Sequence, residues 1–389
     1  MSHKNIIYRY YIFSFVSGLH FVSAVLVPFF TDWGGVSLAT AQALQSWFTF
    51  CVFLLEVPTG IVADTFGRKH SVAFGSFMIA IGVIVYGTYP SLPLFVLGEF
   101  LLAASIALIS GADKALIYDT LVQFQKEEKA VSVFGKGRAI HLVGITLGAP
   151  IGSIIAKYFG LNAPMLFTAI PACMASVVAW SIPEPKVISE EAKERRNFLL
   201  IAKQGLKEIS GSLKLRRWTI NGTIVAAAAY FVIWLYQPLM AKLGMPIALY
   251  GIAHAGLAIV QVVLAASFER FVTVFKSQRR FLEFSALVTS GSLLLAAIWP
   301  NPLTLILMIT LAGGFGLTRM ELMTVEMNKL VRARNRATVI SSISMFRRLT
   351  QAILNPFVGL ATDHSVQTSL FFVGLIPLLT LLYPLNEET

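Results

Sequence analysis

The sequence predicts an all-α polytopic membrane protein, with twelve transmembrane helices in two pseudo-symmetric six-helix bundles and both termini in the cytoplasm. Three observations carry this expectation. The 389 residues are 56% hydrophobic and 13% charged with a mean hydropathy of +0.73, too little polar surface to cover a water-soluble globule. Apolar runs long enough for a bilayer, about 20 residues each, recur along the whole chain. Lys and Arg collect in alternate connections between those runs, as the positive-inside rule requires.

In the first half the runs lie near 7–30, 41–63, 70–89, 93–121, 138–159 and 162–182 (spans 1 to 6). In the second they lie near 218–240, 247–268, 281–299, 302–326, 337–361 and 367–384 (spans 7 to 12). Turn formers separate them, among them Asp32-Trp-Gly-Gly, Tyr89-Pro-Ser, Gly160-Leu-Asn-Ala-Pro, Gly244-Met-Pro, Trp299-Pro-Asn-Pro and Asp363-His-Ser. The first run is longer than a signal-peptide core and no small-x-small cleavage site follows it, so it reads as a retained helix. With cytoplasmic termini, one side collects Lys4, Arg9, Arg68, Lys69, the 126–138 cluster, the nine bases from Lys186 to Arg217, the group Arg270 to Arg280, and Lys329 to Arg336. The other side receives Lys157 and Lys242.

Residues 183–217 form the long polar connection, dividing the chain into an N-terminal bundle (1–182) and a C-terminal bundle (218–389). Phe198, Ala202, Leu206, Ile209 and Leu213 keep a helical period there, which predicts an amphipathic helix along the cytoplasmic surface. Two equal bundles are the architecture of parallel-repeat transporters, whose substrates bind near the midplane where the halves meet.

Composition excludes other classes. The net charge of +11 sits in short loops, which membrane topology explains better than nucleic acid does. Cys51 and Cys173 both lie in apolar runs, so no disulfide framework or metal site is expected. No Gly-x4-Gly-Lys-(Ser/Thr) loop is present for ATP, and neither His-Glu-x-x-His nor Gly-x-Ser-x-Gly for hydrolysis. The chain is therefore expected to be no enzyme and to need no cofactor.

Between spans 2 and 3 stands Gly60-Ile-Val-Ala-Asp64-Thr65-Phe-Gly67-Arg68-Lys69, read as a two- to three-residue turn that Asp64 caps and Gly67 permits. This decamer resembles the signature loop of the major facilitator superfamily, Gly-x3-Asp-(Arg/Lys)-x-Gly-Arg-(Arg/Lys), with Thr65 departing where a base is usual. In span 4, Ser110-Gly-Ala-Asp113-Lys114-Ala-Leu-Ile-Tyr118-Asp119-Thr-Leu resembles a bacterial, drug-efflux-like branch of that superfamily, as does Arg336-Ala-Thr-Val-Ile-Ser341 at the head of span 11. Gly144-x3-Gly148-Ala-Pro150-x-Gly152 in span 5 partly resembles the antiporter motif, without its final Gly-Gly. The arginine that many drug/proton antiporters carry early in span 4 is absent, and Glu99 occupies that region.

The resemblance implies a monomeric secondary transporter in a bacterial cytoplasmic (inner) membrane, powered by a proton gradient and alternating between inward- and outward-facing states. It also implies that Asp119 meets Arg68 and latches the cytoplasmic side.

Ionisable groups inside the bilayer cost roughly 2.5–3.5 kcal/mol each, so each needs a reason. In span 11, Ser341, Ser344, Arg348, Gln351 and Asn355 recur at steps of three and four, drawing one polar stripe. Arg348, with Arg347 beside it, offers a planar fork of donors suited to a carboxylate or phosphate; the alternative is a structural pair with Glu321 or Glu56. Span 2 carries a matching stripe of Gln42, Gln45, Thr49 and Glu56. Glu56 is the first choice for a proton carrier and Asp113 the second. Tyr250, His254 and Gln261 share a face of span 8, Arg138 and His141 one of span 5, and His20 lies in span 1. Tyr230, Trp234 and Gln237 share a face of span 7 and suit stacking on an organic substrate, or core packing. Arg319, Glu321 and Glu326 in span 10 are expected to pair among themselves or across the cavity.

The leading expectation is proton-coupled transport of a small organic anion or amphiphile, with efflux slightly ahead. Uptake by symport of a carboxylate, phosphate ester or siderophore-like anion is the alternative. A lipid flippase or a transporter-like receptor is a third reading.

Overall fold

The computed structural model describes residues 3–185, 198–331, 336–383 and 385, and among them every regular element is helical. Ten stretches are long and apolar enough to cross a membrane. They are His3–Trp33, Leu38–Glu56, Arg68–Thr88, Leu92–Gln123, Glu127–Phe159, Ala163–Ser181, Leu213–Lys242, Ile247–Ala266, Gln278–Ile298 and Pro302–Met320. The helix Arg336–His364 has the length, 29 residues, but carries the polar stripe of span 11, and Val366–Leu382 is a shorter apolar helix. Among the described residues the fold is thus all-α, with ten candidate membrane spans and these two further helices, the counterparts of spans 11 and 12.

Helix starts follow local chemistry. Pro302 opens span 10 behind a capping box, in which Asn301 Oδ1 accepts from Leu303 N (2.9 Å) and Thr304 N (3.1 Å) while Thr304 Oγ1 accepts from Asn301 N (3.1 Å). Ser365 caps the helix beginning at Val366 through Thr368 N (3.0 Å).

Several spans are interrupted. Span 1 leaves the helix after Ser17 and resumes as a 3₁₀ stretch (Phe21–Val25), one short α-turn (Leu26–Pro28) and a π-turn (Phe29–Trp33). Span 4 breaks at Ser110 and Gly111, where Gly111 has φ +81°. Span 7 divides into Leu213–Tyr230 and Val232–Lys242 about Phe231, and span 10 is π-helical over Met308–Gly316. In lipid, freed backbone groups must be satisfied by neighbouring protein or trapped water, so such breaks mark places where a span faces other spans.

The signature loop is tighter than the sequence implied. One helix runs Leu38–Phe66 through Gly60 and Asp64, and the next begins at Arg68. The whole turn is Gly67, whose φ of +96° only glycine adopts without strain. Asp64 stays exposed and does not cap it. The Glu184 carboxylate, just past span 6, accepts from Arg68 N (2.8 Å) and Lys69 N (2.7 Å). A carboxylate from a distant span thus takes over the anionic role at the helix start.

The chain forms two compact units. The first comprises Met1–Val36, Leu44–Phe198 and Ile247–Ala255; the second comprises Ser37–Ala43, Leu199–Pro246 and Gly256–Thr389. In the first, small residues bring spans together: a Cβ on Gly75 would stand 3.0 Å from Ser105 O, and one on Gly82 3.1 Å from Leu102. The second has a methionine-rich core in which Met320, Met323 and Met327 pack with Trp218, Phe281 and Ile343. The connecting helix is Phe198–Gly211, with Ile209 buried and Leu206 exposed. Residues 186–197 of the connection lie outside the described residues.

Candidate transport site

In the first unit the stripe of span 2 leads to a carboxyl that the sequence ranking passed over. Trp47, Phe50, Leu54 and Ile61 form the exposed apolar face of the helix Leu38–Phe66. Gln45, Thr49 and Glu56 lie on the opposite side, roughly 160° away for Glu56 at 100° per residue. Thr49 turns its hydroxyl onto Gln45 O (2.9 Å). Gln45 Nε2 donates to Glu99 Oε1 at 2.5 Å, and Tyr86 OH donates to the same oxygen at 2.9 Å.

Glu99 is 4% exposed. The described residues hold two ion pairs, Arg68–Asp119 and Arg279–Glu283, so no described cation lies within 4 Å of Glu99. Gly98 makes the site possible, because a Cβ there would collide with the Tyr86 ring. Tyr86 stacks on Phe95 at 5.3 Å between ring centroids, and Phe29 and Phe30 close the aromatic wall. The result is a carboxyl in an apolar cage with two neutral donors.

Glu56 is half-buried on its stripe, and Asp113 sits in the first turn of the helix Ala112–Gln123.

Arg68 and Asp119 form a buried ion pair, 5% and 1% exposed. Lys69 lies 5.1 Å above the Trp180 ring. Gly60 is exposed, and a Cβ on it would meet nothing within 4 Å. Gly148, Pro150 and Gly152 all belong to the continuous helix Ala130–Phe159 and pack on other spans. A Cβ on Gly152 would run into Phe21 O, one on Gly148 would stand 3.2 Å from His20 N, and Gly251 packs on Pro150.

In the second unit, the exposed apolar stripe of the helix Arg336–His364 is Phe346, Leu349, Ile353, Phe357 and Leu360. Arg348 is exposed too, but roughly 140° round the helix from the centre of that stripe. Ser344, Arg347 and Gln351 are half-buried and Asn355 is buried. No described carboxylate lies within 4 Å of Arg348.

Trp234 and Gln237 are 3% and 1% exposed, and Gln237 Nε2 donates to Tyr236 OH at 3.1 Å. Tyr230 ends the preceding helix and meets Phe231 edge-on at 5.1 Å. Gln261 turns onto Leu257 O (3.2 Å), and His254, 9% exposed, belongs to the first unit.

The expected pairing of Arg319 with an acid is not what forms. Its guanidinium, 1% exposed, donates to Leu282 O, Ser285 Oγ and Asn221 Oδ1, while Glu326 accepts from Gln278 Nε2 at 3.0 Å. Neutral acceptors from spans 7 and 9 reach the buried end of Arg319, whereas Glu326 lies two turns further along its helix. The Glu321 side chain lies outside the described residues. A cleft of about 200 Å³ lined by Lys214, Arg279 and Glu326 sits at the helix ends, away from the stripe.

Each unit thus carries a polar stripe on a helix whose exposed apolar residues lie on another face. The description "Major Facilitator Superfamily" matches residues 10–355, and the chain belongs to that family. It is 20% identical over 250 residues to an uncharacterized MFS-type transporter of Methanocaldococcus jannaschii, covering 62% of this chain and 63% of that one. It is 29% identical over 126 residues to a lincomycin resistance protein of Streptomyces lincolnensis, covering 30% and 25%. The chain thus spans less than two thirds of these relatives' lengths. The crystal structure of the nucleoside transporter NupG, as a point mutant, superposes with a TM-score of 0.78 at 16% identity, covering 96% of this chain and 98% of that one.

Proposed function

We propose that this transporter is proton-coupled and exports a small organic acid or amphipathic anion by alternating access. The observation that carries the proposal is Glu99. Burying a carboxylate without a cation is costly, and a carboxyl so placed is stable as the neutral acid as well as the hydrogen-bonded anion. Gln45 and Tyr86 support both forms, since an amide and a hydroxyl can each donate or accept. Glu56, half-buried on the same helix as Gln45, is the next group along a proton route, with Asp113 beyond it. In the second unit Arg348 stays charged at physiological pH and anchors the anionic group of the substrate, with Ser344 and Gln351 beside it.

Export is supported by the partial antiporter motif and by the lincomycin resistance protein among the relatives. A second reading, uptake by proton symport, rests on Arg348: accumulating an anion in a negative-inside cell requires coupling to another ion, a part that protons can play. In either reading the proton gradient supplies the energy without a cofactor, the protein works as a monomer, and both termini face the cytoplasm of a bacterial inner membrane.

The test is a thermal-shift screen of metabolites, drugs and lipids at two pH values, followed by flux of each stabilising compound in proteoliposomes under an imposed pH gradient. Acids should stabilise the protein, and Arg348→Ala should abolish that stabilisation. Glu99→Gln should retain binding and lose gradient-driven flux. Stabilisation by neutral or cationic compounds alone would remove the anion reading. Undiminished gradient-driven flux in Glu99→Gln would remove the proton carrier, and movement of labelled lipid between leaflets would make the protein a flippase.

A further inference from the structure

Spans 8 and 9 are joined through a short helix, Phe268–Phe275, pinned to the second unit by two rings. Phe271 stacks on Phe281 at 5.7 Å between centroids, and Phe275 tilts over Phe284 at 4.9 Å. Lys276 then turns the chain in the left-handed region, with φ +55°, and the helix of span 9 begins at Gln278. Around this turn lies a cavity of about 560 Å³ lined by Lys276, Ser277, Arg279, Arg280 and Glu283. Arg279 also borders the cleft of about 200 Å³ in which Lys214 stands.

The acids at the two openings are already engaged. Glu283 Oε1 accepts from Arg279 Nε at 2.8 Å, and Glu326 Oε1 accepts from Gln278 Nε2 at 3.0 Å. No described carboxylate lies within 4 Å of Lys214, Lys276 or Arg280. The Glu269 side chain lies outside the described residues. Lys276 and Arg280 are exposed. The helix Gln278–Ile298 has no acid in its first turn, and its N-cap residue, Ser277, does not close that turn with its side chain. Such a helix start favours an anion through its amides and its dipole, and here it stands among bases.

The apolar surface beyond the cavity narrows the kind of anion. At 100° per residue, Phe284, Leu287, Leu295 and Ile298 all fall within about 60° of Arg280 around span 9, and all four are exposed. Val274, two residues before Lys276, is 74% exposed. Cations gathered at one end of an exposed apolar stripe suit a phospholipid, with its phosphate at the helix start and an acyl chain along the stripe. A soluble phosphate would gain nothing from that stripe.

We propose that the turn between spans 8 and 9 is a phosphate site for an anionic phospholipid, held by Lys276 and Arg280 beside the first turn of span 9, with an acyl chain along Phe284 and Leu287. The excess of positive charge selects a headgroup with a net negative charge over a zwitterionic one. The site uses neither Glu99 nor Arg348, so it stands or falls apart from the transport reading.

The experiment titrates the full-length protein in a neutral detergent with phosphatidylglycerol, phosphatidylcholine or inorganic phosphate, and counts bound molecules by native mass spectrometry. Phosphatidylglycerol should be retained in preference to phosphatidylcholine, and inorganic phosphate should displace it only at far higher concentration. Lys276→Gln and Arg280→Gln should each weaken phosphatidylglycerol about fivefold, the effect of one base near a membrane surface. Lys157→Gln, which removes an exposed base of the first unit, should leave it unchanged. Leu287→Asn should weaken the lipid without altering the binding of inorganic phosphate. Equal retention of the two lipids, unchanged affinity in both base variants, or an equal loss in Lys157→Gln would overturn the site. Inorganic phosphate bound as tightly as phosphatidylglycerol, or lipid bound unchanged by Leu287→Asn, would overturn the lipid as its ligand.

Discussion

Glu99 in the first unit and Arg319 in the second are both buried without an oppositely charged partner within 4 Å among the described residues, and the two are handled differently. Glu99 in the first unit is met by two donors, Gln45 and Tyr86. Arg319 in the second is met by three acceptors, Leu282 O, Ser285 Oγ and Asn221 Oδ1. A carboxyl can take up a proton and keep its hydrogen bonds, but a guanidinium stays charged at any physiological pH. The first unit therefore holds a group able to switch, and the second a fixed charge that ties spans 7, 9 and 10 together. Chemical identity, not depth of burial, separates a switch from a brace.

The largest effect should come from removing the brace. Arg319→Met removes hydrogen bonds from three buried acceptors, of which Leu282 O keeps the one from Ser285 Oγ (2.8 Å), at a cost of about 3 kcal/mol. Its thermal melt should fall well below that of Glu99→Gln, where the amide replaces the carboxyl at nearly equal volume. Equal melts for the two variants would break the comparison.

A middle-sized effect concerns how the first unit accommodates the break in span 1. Gly152→Leu forces a side chain against Phe21 O, which should cost about 2 kcal/mol and reduce the monodisperse fraction in size-exclusion chromatography. A well-folded Gly152→Leu protein would show that the close approach is not needed.

The smallest effect should be Tyr86→Phe, which deletes one of the two donors to Glu99 for about 1 kcal/mol. Flux in proteoliposomes should persist with a displaced pH profile. A profile identical to that of the unaltered protein would mean that Tyr86 does not tune the carboxyl.

Much of the architecture was legible because bilayer spans are written as runs of composition, and composition survives without knowledge of neighbours. The Arg68–Asp119 contact was legible through resemblance to a signature loop, and the stripes of spans 2 and 11 through helical period. Glu99 was legible only as the residue in the region of span 4 where many antiporters carry an arginine. Its partners were not, since Gln45 and Tyr86 stand 54 and 13 residues away and meet it only when three spans pack. Arg319 is the same case: Glu321 and Glu326 are close to it in the chain, but its partners lie 34 to 98 residues away.

What the chain determined alone was therefore one-dimensional: which segments enter lipid, where they turn, and which face of each helix is polar. The hydrophobic effect acts on each segment separately, so no folding calculation is needed to see it. Only the packed bundles decided which buried charge has a partner and that Gly67 is the entire turn. Hydrogen bonds and close glycine contacts depend on distances of a few ångströms between residues remote in sequence, and those distances exist only after the spans assemble.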